Sequence, residues 1–320
     1  MDIRNRILHM KDSEFSTISL EVYQNQVRNN PTFFRWHELT KQLPNTAGFR
    51  FLPIRQFKKE IVKTGDWEIE RVFESSSTTN TGISRHAIES LSFYEEISQR
   101  AFELQYGPLD KYHILALLPG YIERGNSSLV HMIKSFMDQS KGGDFYIHNF
   151  DQLNKQLNSL NKAGESIILF GVSHALIDFS MQYPQAMASK SIIVETGGMK
   201  GKRKEIQKSE LHQILKTQFN VANIHGEYGM TELQSQAYSR ANGLYHCPPW
   251  MKVVISDIND PTKLLDANKR GRINIIDLAN VSTCSFIATD DLGIVRSDGS
   301  FEIIGRIQYS DIRGCNQMYQ

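Results

Sequence analysis

The chain has 320 residues, 40% hydrophobic and 22% charged, with a formal net charge of +1. That length can bury a sizeable core as one large domain or two ordinary ones, and the near-neutral balance leaves no basic face for nucleic acid. No run approaches the roughly 18 apolar residues of a membrane-spanning helix. The start of the chain has no apolar stretch of signal-peptide length, and Cys247, Cys284 and Cys315 are too few for a disulfide framework. A cytoplasmic α/β protein with reduced thiols is expected.

Residues 1–70 are polar and aromatic-rich and read as helices packed on the main body. Residues 75–82 form a hydroxyl cluster, Ser-Ser-Ser-Thr-Thr-Asn-Thr-Gly, before a helix-like stretch expected to begin near Arg85 and His86. From residue 110 short apolar runs at 113–118, 145–147, 166–170, 191–194 and 221–224 alternate with helix-like segments at 127–139, 150–161, 174–187 and 209–219. That alternation predicts βαβ units and a mainly parallel, helix-covered sheet. Beyond Pro248-Pro249, β-rich runs at 251–256, 272–278, 285–288 and 301–304 are separated by turn residues and predict an antiparallel subdomain. The expected division is therefore an α/β region over 1–247 and a β-rich subdomain over 248–320 that ends in Arg313-Gly314-Cys315.

Several segments carry residue types suited to chemistry. The hydroxyl cluster could cradle a phosphate beside a helix N-terminus, although alone it reads as a solvated loop, and no Gly-Lys-Ser/Thr follows to make it a Walker loop. Glu195-Thr196-Gly197-Gly198 ends a predicted strand, the edge at which parallel sheets bind ligands, and Lys200, Lys202, Arg203 and Lys204 follow it. Gly226-Glu227-Tyr228-Gly229-Met230-Thr231-Glu232 places an aromatic, a hydroxyl and a carboxylate within one turn; these suit a purine, a phosphate and Mg²⁺ respectively. Thr289-Asp290-Asp291-Leu292-Gly293 reads as a turn between two strands, with a carboxylate able to accept from ribose hydroxyls. Cys315 beside Arg313 has the setting of an activated thiol, or is an incidental one. His246-Cys247 lacks paired zinc-ligand spacing, and no Gly-x-Ser-x-Gly elbow occurs.

Taken in order, residues 75–82, 195–198, 228–232, 289–293 and Gly305-Arg306 resemble the core motifs of the adenylate-forming superfamily, which includes acyl-CoA synthetases and phenylacetate-CoA ligases. The resemblance covers roughly residues 70–316. Glu195-Thr196-Gly197-Gly198, residues 228–233 and residues 310–316 are most similar to the acyl-protein synthetases of the bacterial luciferase fatty-acid reductase system. The resemblance implies the large N-terminal domain of that fold, with its small C-terminal domain expected to be absent. It implies ATP and Mg²⁺ as cofactors, with Ser77, Thr78 and Thr79 on the phosphates and Gly197, Gly198, Glu227, Tyr228, Gly229 and Met230 around the nucleotide. Thr231 would touch the α-phosphate, Glu232 the metal, and Asp291 with Arg306 the ribose, while Gly171, Val172 and His174 would border an acyl pocket.

The activity so implied is that of an AMP-forming acid–thiol ligase. A fatty or related carboxylic acid becomes acyl-AMP, passes to Cys315 as a thioester, and then reaches an acyl-accepting partner protein. The alternatives are transfer to coenzyme A or a carrier thiol without Cys315, and a non-catalytic nucleotide- or acyl-binding scaffold. The sequence departs from the family pattern in its phosphate loop, where Ser77 and Asn80 replace glycines and the lysine is missing, Arg85 being the nearest cation.

Overall fold

The computed structural model describes residues 2–41, 48–75, 82–121, 125–147, 149–197 and 207–307. The chain opens with helices α1 (Ile3–Leu8), α2 (Phe15–Asn29) and α3 (Pro31–Thr40), so that among the described residues the helices expected over 1–70 end at Thr40 but for one four-residue turn at Gln56–Lys59. The break between α2 and α3 is encoded locally. Asn30 is extended, its side chain accepts from Phe33 N at 2.9 Å, and Pro31 occupies the first helical position. These helices bury Tyr23 edge-on to both Phe33 and Phe286, with ring centroids 5.4 Å and 5.0 Å away. Gln26 completes the join: its side chain donates to Val281 O at 3.2 Å and accepts from Ser285 N at 3.0 Å. The beginning of the chain thus packs against strands from its far end.

Next come β1 (Leu52–Pro53), α4 (Gln56–Lys59), and a hairpin of β2 (Arg71–Glu74) and β3 (Arg85–Ile88). The helix expected near Arg85 is therefore a strand, and α5 (Leu91–Tyr106) begins only at Leu91. Ser90 sets that start, its hydroxyl accepting from Phe93 N at 3.2 Å. The reason for the difference lies in packing: His86, Ala87 and Ile88 are all buried, which period-3.6 reading of so short a stretch does not reveal.

The alternating region follows as predicted, with β4 (His113–Leu117), α6 (Ser128–Asp138), β5 (Gly143–Phe145), α7 (Phe150–Lys162), β6 (Ile167–Val172), α8 (Ser173–Gln182), β7 (Ile192–Thr196), α9 (Lys208–Phe219) and β8 (His225–Tyr228). Helix α7 shows why. Leu153, Leu157 and Leu160 recur at one helical face and are buried, while Asn, Gln and Lys fill the other. Each such leucine contributes roughly 1.5–3 kcal/mol on burial. Strand β6 is apolar throughout and every residue of it is buried, the mark of a strand covered on both faces. The run at 221–224 precedes its strand, because α9 closes with Asn220 at φ +47° and β8 begins at His225.

The chain ends its described course with β9 (Ala237–Ser239), β10 (Leu244–His246), β11 (Met251–Ser256), β12 (Arg270–Asp277), β13 (Phe286–Val295) and β14 (Phe301–Arg306). Among the described residues one twelve-stranded sheet runs β11-β12-β13-β14-β10-β9-β8-β7-β6-β4-β5, with β1 beside β13. Strands β4 to β8 are parallel, and from β8 through β9, β10, β14, β13 and β12 to β11 each neighbour is antiparallel. This is the predicted α/β architecture with a C-terminal antiparallel part. Thr289–Gly293 is not a turn but the middle of β13. Polar residues sit there because Thr289 and Asp291 find buried hydrogen-bond partners, and the strand bulges between Leu292 and Gly293. A side chain at position 293 would put its Cβ 2.5 Å from Glu302 O, so the close approach of β14 requires glycine.

Candidate active site at the carboxyl edge of the parallel strands

In-register parallel pairing brings the predicted motifs together. Gly171 on β6 lies beside Glu195 on β7 and that beside Gly226 on β8; one residue on, Val172, Thr196 and Glu227 form the next row. These rows are the carboxyl ends of their strands, the edge at which open α/β sheets bind ligands. At Gly171 a Cβ would sit 2.6 Å from Leu176 Cγ, so glycine lets α8 fold back on its own strand. Val172 is buried there, and His174 is half-buried one residue into α8.

A polar cluster is sealed beneath this edge. Ser173 Oγ lies 2.6 Å from Glu195 Oε1 and 2.8 Å from Gly197 O, sharing its proton between them. Lys208 Nζ pairs with Glu195 Oε2 at 3.3 Å and also donates to the Tyr245 hydroxyl. His212 Nε2 stands 3.9 Å from the same carboxylate. Burial pushes the Glu195 carboxyl up, but His212, Lys208 and Ser173 outweigh it and hold the group below its usual range. Glu227 has the opposite fate. It is buried, the Thr196 hydroxyl donates to it, and burial, aided by the charge of Glu195, pushes it up to about 7. Gly229 is tied to that carboxyl, since a Cβ there would lie 2.5 Å from Glu227 Oε1. Gly197, at φ +70°, is overlooked by Tyr121: a Cβ at position 197 would meet the Tyr121 hydroxyl at 3.4 Å.

Beyond β8 the antiparallel strands supply a second group. The Tyr228 hydroxyl donates to Asp291 Oδ2 at 3.0 Å, and Arg306 Nε donates to Asp291 Oδ1 at 2.9 Å. The register dictates the second contact, because Asp291 and Arg306 are direct partners on β13 and β14. The Tyr228 ring is buried, 5.5 Å from Phe301 and steeply inclined to it, and its burial together with the Asp291 charge pushes its hydroxyl pKa far up. Asp290 points the other way and pairs with Arg55 Nε at 3.0 Å.

Met230, Thr231 and Glu232 bend away from β8. The Glu232 carboxyl is buried; burial raises its pKa, against the Ser84 hydroxyl, which bonds to it, and the charges of Lys58 and Arg306. Ser84 also closes the base of the hydroxyl loop, accepting from Ser75 N at 3.0 Å through its carbonyl while its own N donates to Ser75 Oγ at 3.0 Å. The loop therefore springs from beside Glu232. Ser77, Thr78, Thr79, Gly198, Lys200, Lys202, Arg203, Lys204, Arg313 and Cys315 lie outside the described residues. Sequence reading missed Ser84 and Lys208. A serine or lysine in a loop or first helical turn carries no periodic signal, and only strand register shows what each one faces. Among the described residues no group of three or more His, Cys, Asp or Glu could hold a metal ion. A lone buried carboxylate does fit Mg²⁺, which commonly takes one or two protein carboxylates and fills its remaining positions with water and phosphate oxygens.

Comparison with known proteins fits this geometry. The fold is shared with ATP-bound MatB from Rhodopseudomonas palustris (TM-score 0.56, 16% identity, 76% of this chain and 49% of that one). It is also shared with the AMP complex of O-succinylbenzoate coenzyme A synthetase from Bacillus subtilis (TM-score 0.54, 16% identity, 75% and 50%). An open conformation of 2-hydroxyisobutyryl-CoA ligase, in complex with 2-HIB-AMP and CoA, aligns over 94% of this chain and 72% of its own (TM-score 0.65, 13% identity). At this level of identity the likeness establishes the fold, that of the adenylate-forming enzymes. A long-chain-fatty-acid–luciferin-component ligase of Vibrio harveyi is 24% identical over 184 residues, 52% of this chain and 48% of that protein. The chain thus spans about half the length of the ligase and of the first two solved structures. Among the described residues no helix is long and apolar enough to cross a membrane. The family described as acyl-protein synthetase, LuxE, matches residues 46–320, and the chain belongs to that family.

Proposed function

We propose that the protein is an AMP-forming acid–thiol ligase that activates a fatty or related carboxylic acid with ATP. The observation that carries this reading is the Tyr228–Asp291–Arg306 group standing beside the Thr231-Glu232 bend at the carboxyl edge of the sheet. Asp291 keeps spare lone pairs on both oxygens for ribose hydroxyls after accepting from Tyr228 and Arg306. Thr231 offers a hydroxyl to the α-phosphate. Glu232, beside the base of the hydroxyl loop, would hold Mg²⁺, which when bound offsets triphosphate charge.

In the first step a carboxylate oxygen attacks the α-phosphorus, the bond to the bridging oxygen of the β-phosphate breaks, and pyrophosphate leaves. Arg306 and Lys58, both within reach of Glu232, supply positive charge near that centre. In the second step the Cys315 thiolate attacks the acyl carbon of the mixed anhydride. The carbon–oxygen bond to phosphate breaks, AMP departs, and the thioester is then handed to a partner protein. The family membership and the name of the Vibrio harveyi relative support a fatty acid as the substrate.

Pyrophosphate exchange dependent on a carboxylic acid, screened across chain lengths, tests the first step. No exchange with any acid would remove the enzymatic reading. Intact-mass detection of an ATP-dependent acyl adduct, lost in Cys315→Ala, tests the second. If exchange proceeds with no adduct on the wild-type chain, the acceptor is another thiol.

A further inference from the structure

We propose that His86 is a positioning residue for adenylation, holding the Thr231-Glu232 bend through its main chain; this rests on the reading above. The two residues assigned to the α-phosphate and Mg²⁺ in that reading are both held through their carbonyls. His86 Nδ1 lies 2.8 Å from Thr231 O, and Asn280 Nδ2 donates to Glu232 O at 2.7 Å. The two gripping side chains are joined: His86 Nε2 is 3.0 Å from Asn280 Oδ1 and 2.9 Å from Thr283 Oγ1, and the Thr283 hydroxyl also contacts Asn280 Oδ1. His86 and Asn280 are fully buried, and Phe57 closes the imidazole edge-on at 5.7 Å.

The protonation pattern follows from the partners. A carbonyl only accepts, so Nδ1 carries the proton and donates to Thr231 O. Nε2 and Asn280 Oδ1 are then both acceptors, and the single Thr283 hydroxyl proton lying between them is what joins the two side chains. Burial keeps the ring neutral, pushing its pKa down to about 4. The choice of strand matters as much as the bonds. β3 enters through Ser84, which bonds to the Glu232 carboxyl, and two residues later presents His86 to the Thr231 carbonyl. One short strand at the foot of the hydroxyl loop therefore sets both the side chain and the main chain of the catalytic bend. A shift of about 1 Å in a reacting group costs on the order of 100-fold in rate, so this grip acts on turnover.

The test pairs kinetics with amide hydrogen exchange on the full chain. In His86→Ala, kcat for carboxylate-dependent pyrophosphate exchange falls about 10–100-fold while KM for the acid stays within about threefold. His86→Gln, which restores a neutral N–H donor, recovers most of that loss. The amides of Leu233, Gln234 and Ser235, bonded to Met230 O and the Asp277 carboxylate, exchange faster in His86→Ala while those of β11 and β12 keep their protection. Thr283→Val, which deletes the bridging hydroxyl at nearly constant volume, gives the same local pattern at smaller amplitude even if His86→Ala fails to fold. Unchanged exchange at 233–235, or loosening equal to that of β11 and β12, overturns the proposal. A wild-type chain inactive with every acid would instead overturn the adenylation reading, and the exchange pattern would still decide the role of His86.

Discussion

Replacing Asp291 by Asn isolates the charge at the centre of the proposed ribose site. In the wild type both carboxylate oxygens face donors, Tyr228 OH at 3.0 Å and Arg306 Nε at 2.9 Å. Asparagine offers one oxygen and one NH₂, so one of the two donors loses its acceptor. Arg306 is the lesser loss, because its side chain is 76% exposed and a solvated ion pair is worth roughly 0–1 kcal/mol. The buried Tyr228 hydroxyl bonds to a charged acceptor, an interaction worth about 1.5–3 kcal/mol. The amide therefore turns its oxygen to Tyr228, whose bond weakens from a charged to a neutral acceptor by about 1 kcal/mol, and with the small Arg306 loss the fold is expected to lose about 1–2 kcal/mol, or roughly 2–3 °C in Tm for a chain of this size. Ligand binding should lose more than this structural cost explains, because ribose hydroxyls exchange an anionic acceptor for a neutral one. That substitution weakens ATP by about 10–100-fold. Titration calorimetry with ATP and with 2′,3′-dideoxy-ATP separates the two effects: the wild type discriminates between them and Asp291→Asn does not. A variant with a lowered Tm but ATP affinity within about twofold of wild type would refute the ribose assignment.

Two further outcomes follow from the sealed cluster. The Glu227 carboxyl sits at about 7 in the folded protein against 4.5 unfolded, so the folded state binds the extra proton. Stability on its account is complete below about 4.5 and declines as pH rises toward 7 and beyond, by about 3 kcal/mol in all. Glu227→Gln should flatten that part of the curve in urea melts between pH 5 and 8, and an unchanged slope would count against a protonated Glu227. Lys208→Met strands the buried Glu195 carboxylate, a loss of about 3 kcal/mol by analogy with other broken buried pairs. Adding Glu195→Gln should restore about half or more of it, and strictly additive losses would show that the pair is not coupled.

Much of the fold was legible because periodicity is a local property. Leu153, Leu157 and Leu160 at helical spacing, and the unbroken apolar run of β6, declare themselves without any knowledge of neighbours. The turn residues beyond Pro248 announce the antiparallel strands in the same way. The strand errors share one cause. β8 reads His-Gly-Glu-Tyr, β3 reads Arg-His-Ala-Ile, and the centre of β13 reads Thr-Asp-Asp. These are polar residues in strands, which composition assigns to turns or helices. At β3 and β13 they are tolerated because the buried polar groups meet partners from distant segments, Thr231 and Asn280 for His86 and Tyr228 and Arg306 for Asp291.

The sequence by itself determined the order of the motifs, the apolar skeleton that alternates strand with helix, and the residue types able to serve nucleotide chemistry. Only the tertiary structure decided which of them meet. Register places Glu195 beside Gly226 and Asp291 beside Arg306, and it brings β3 behind Thr231 so that a histidine with no motif grips the bend. Parallel and antiparallel pairing are contacts between residues far apart in the chain. Their free energy comes from burying distant surfaces together, and no local window contains that information.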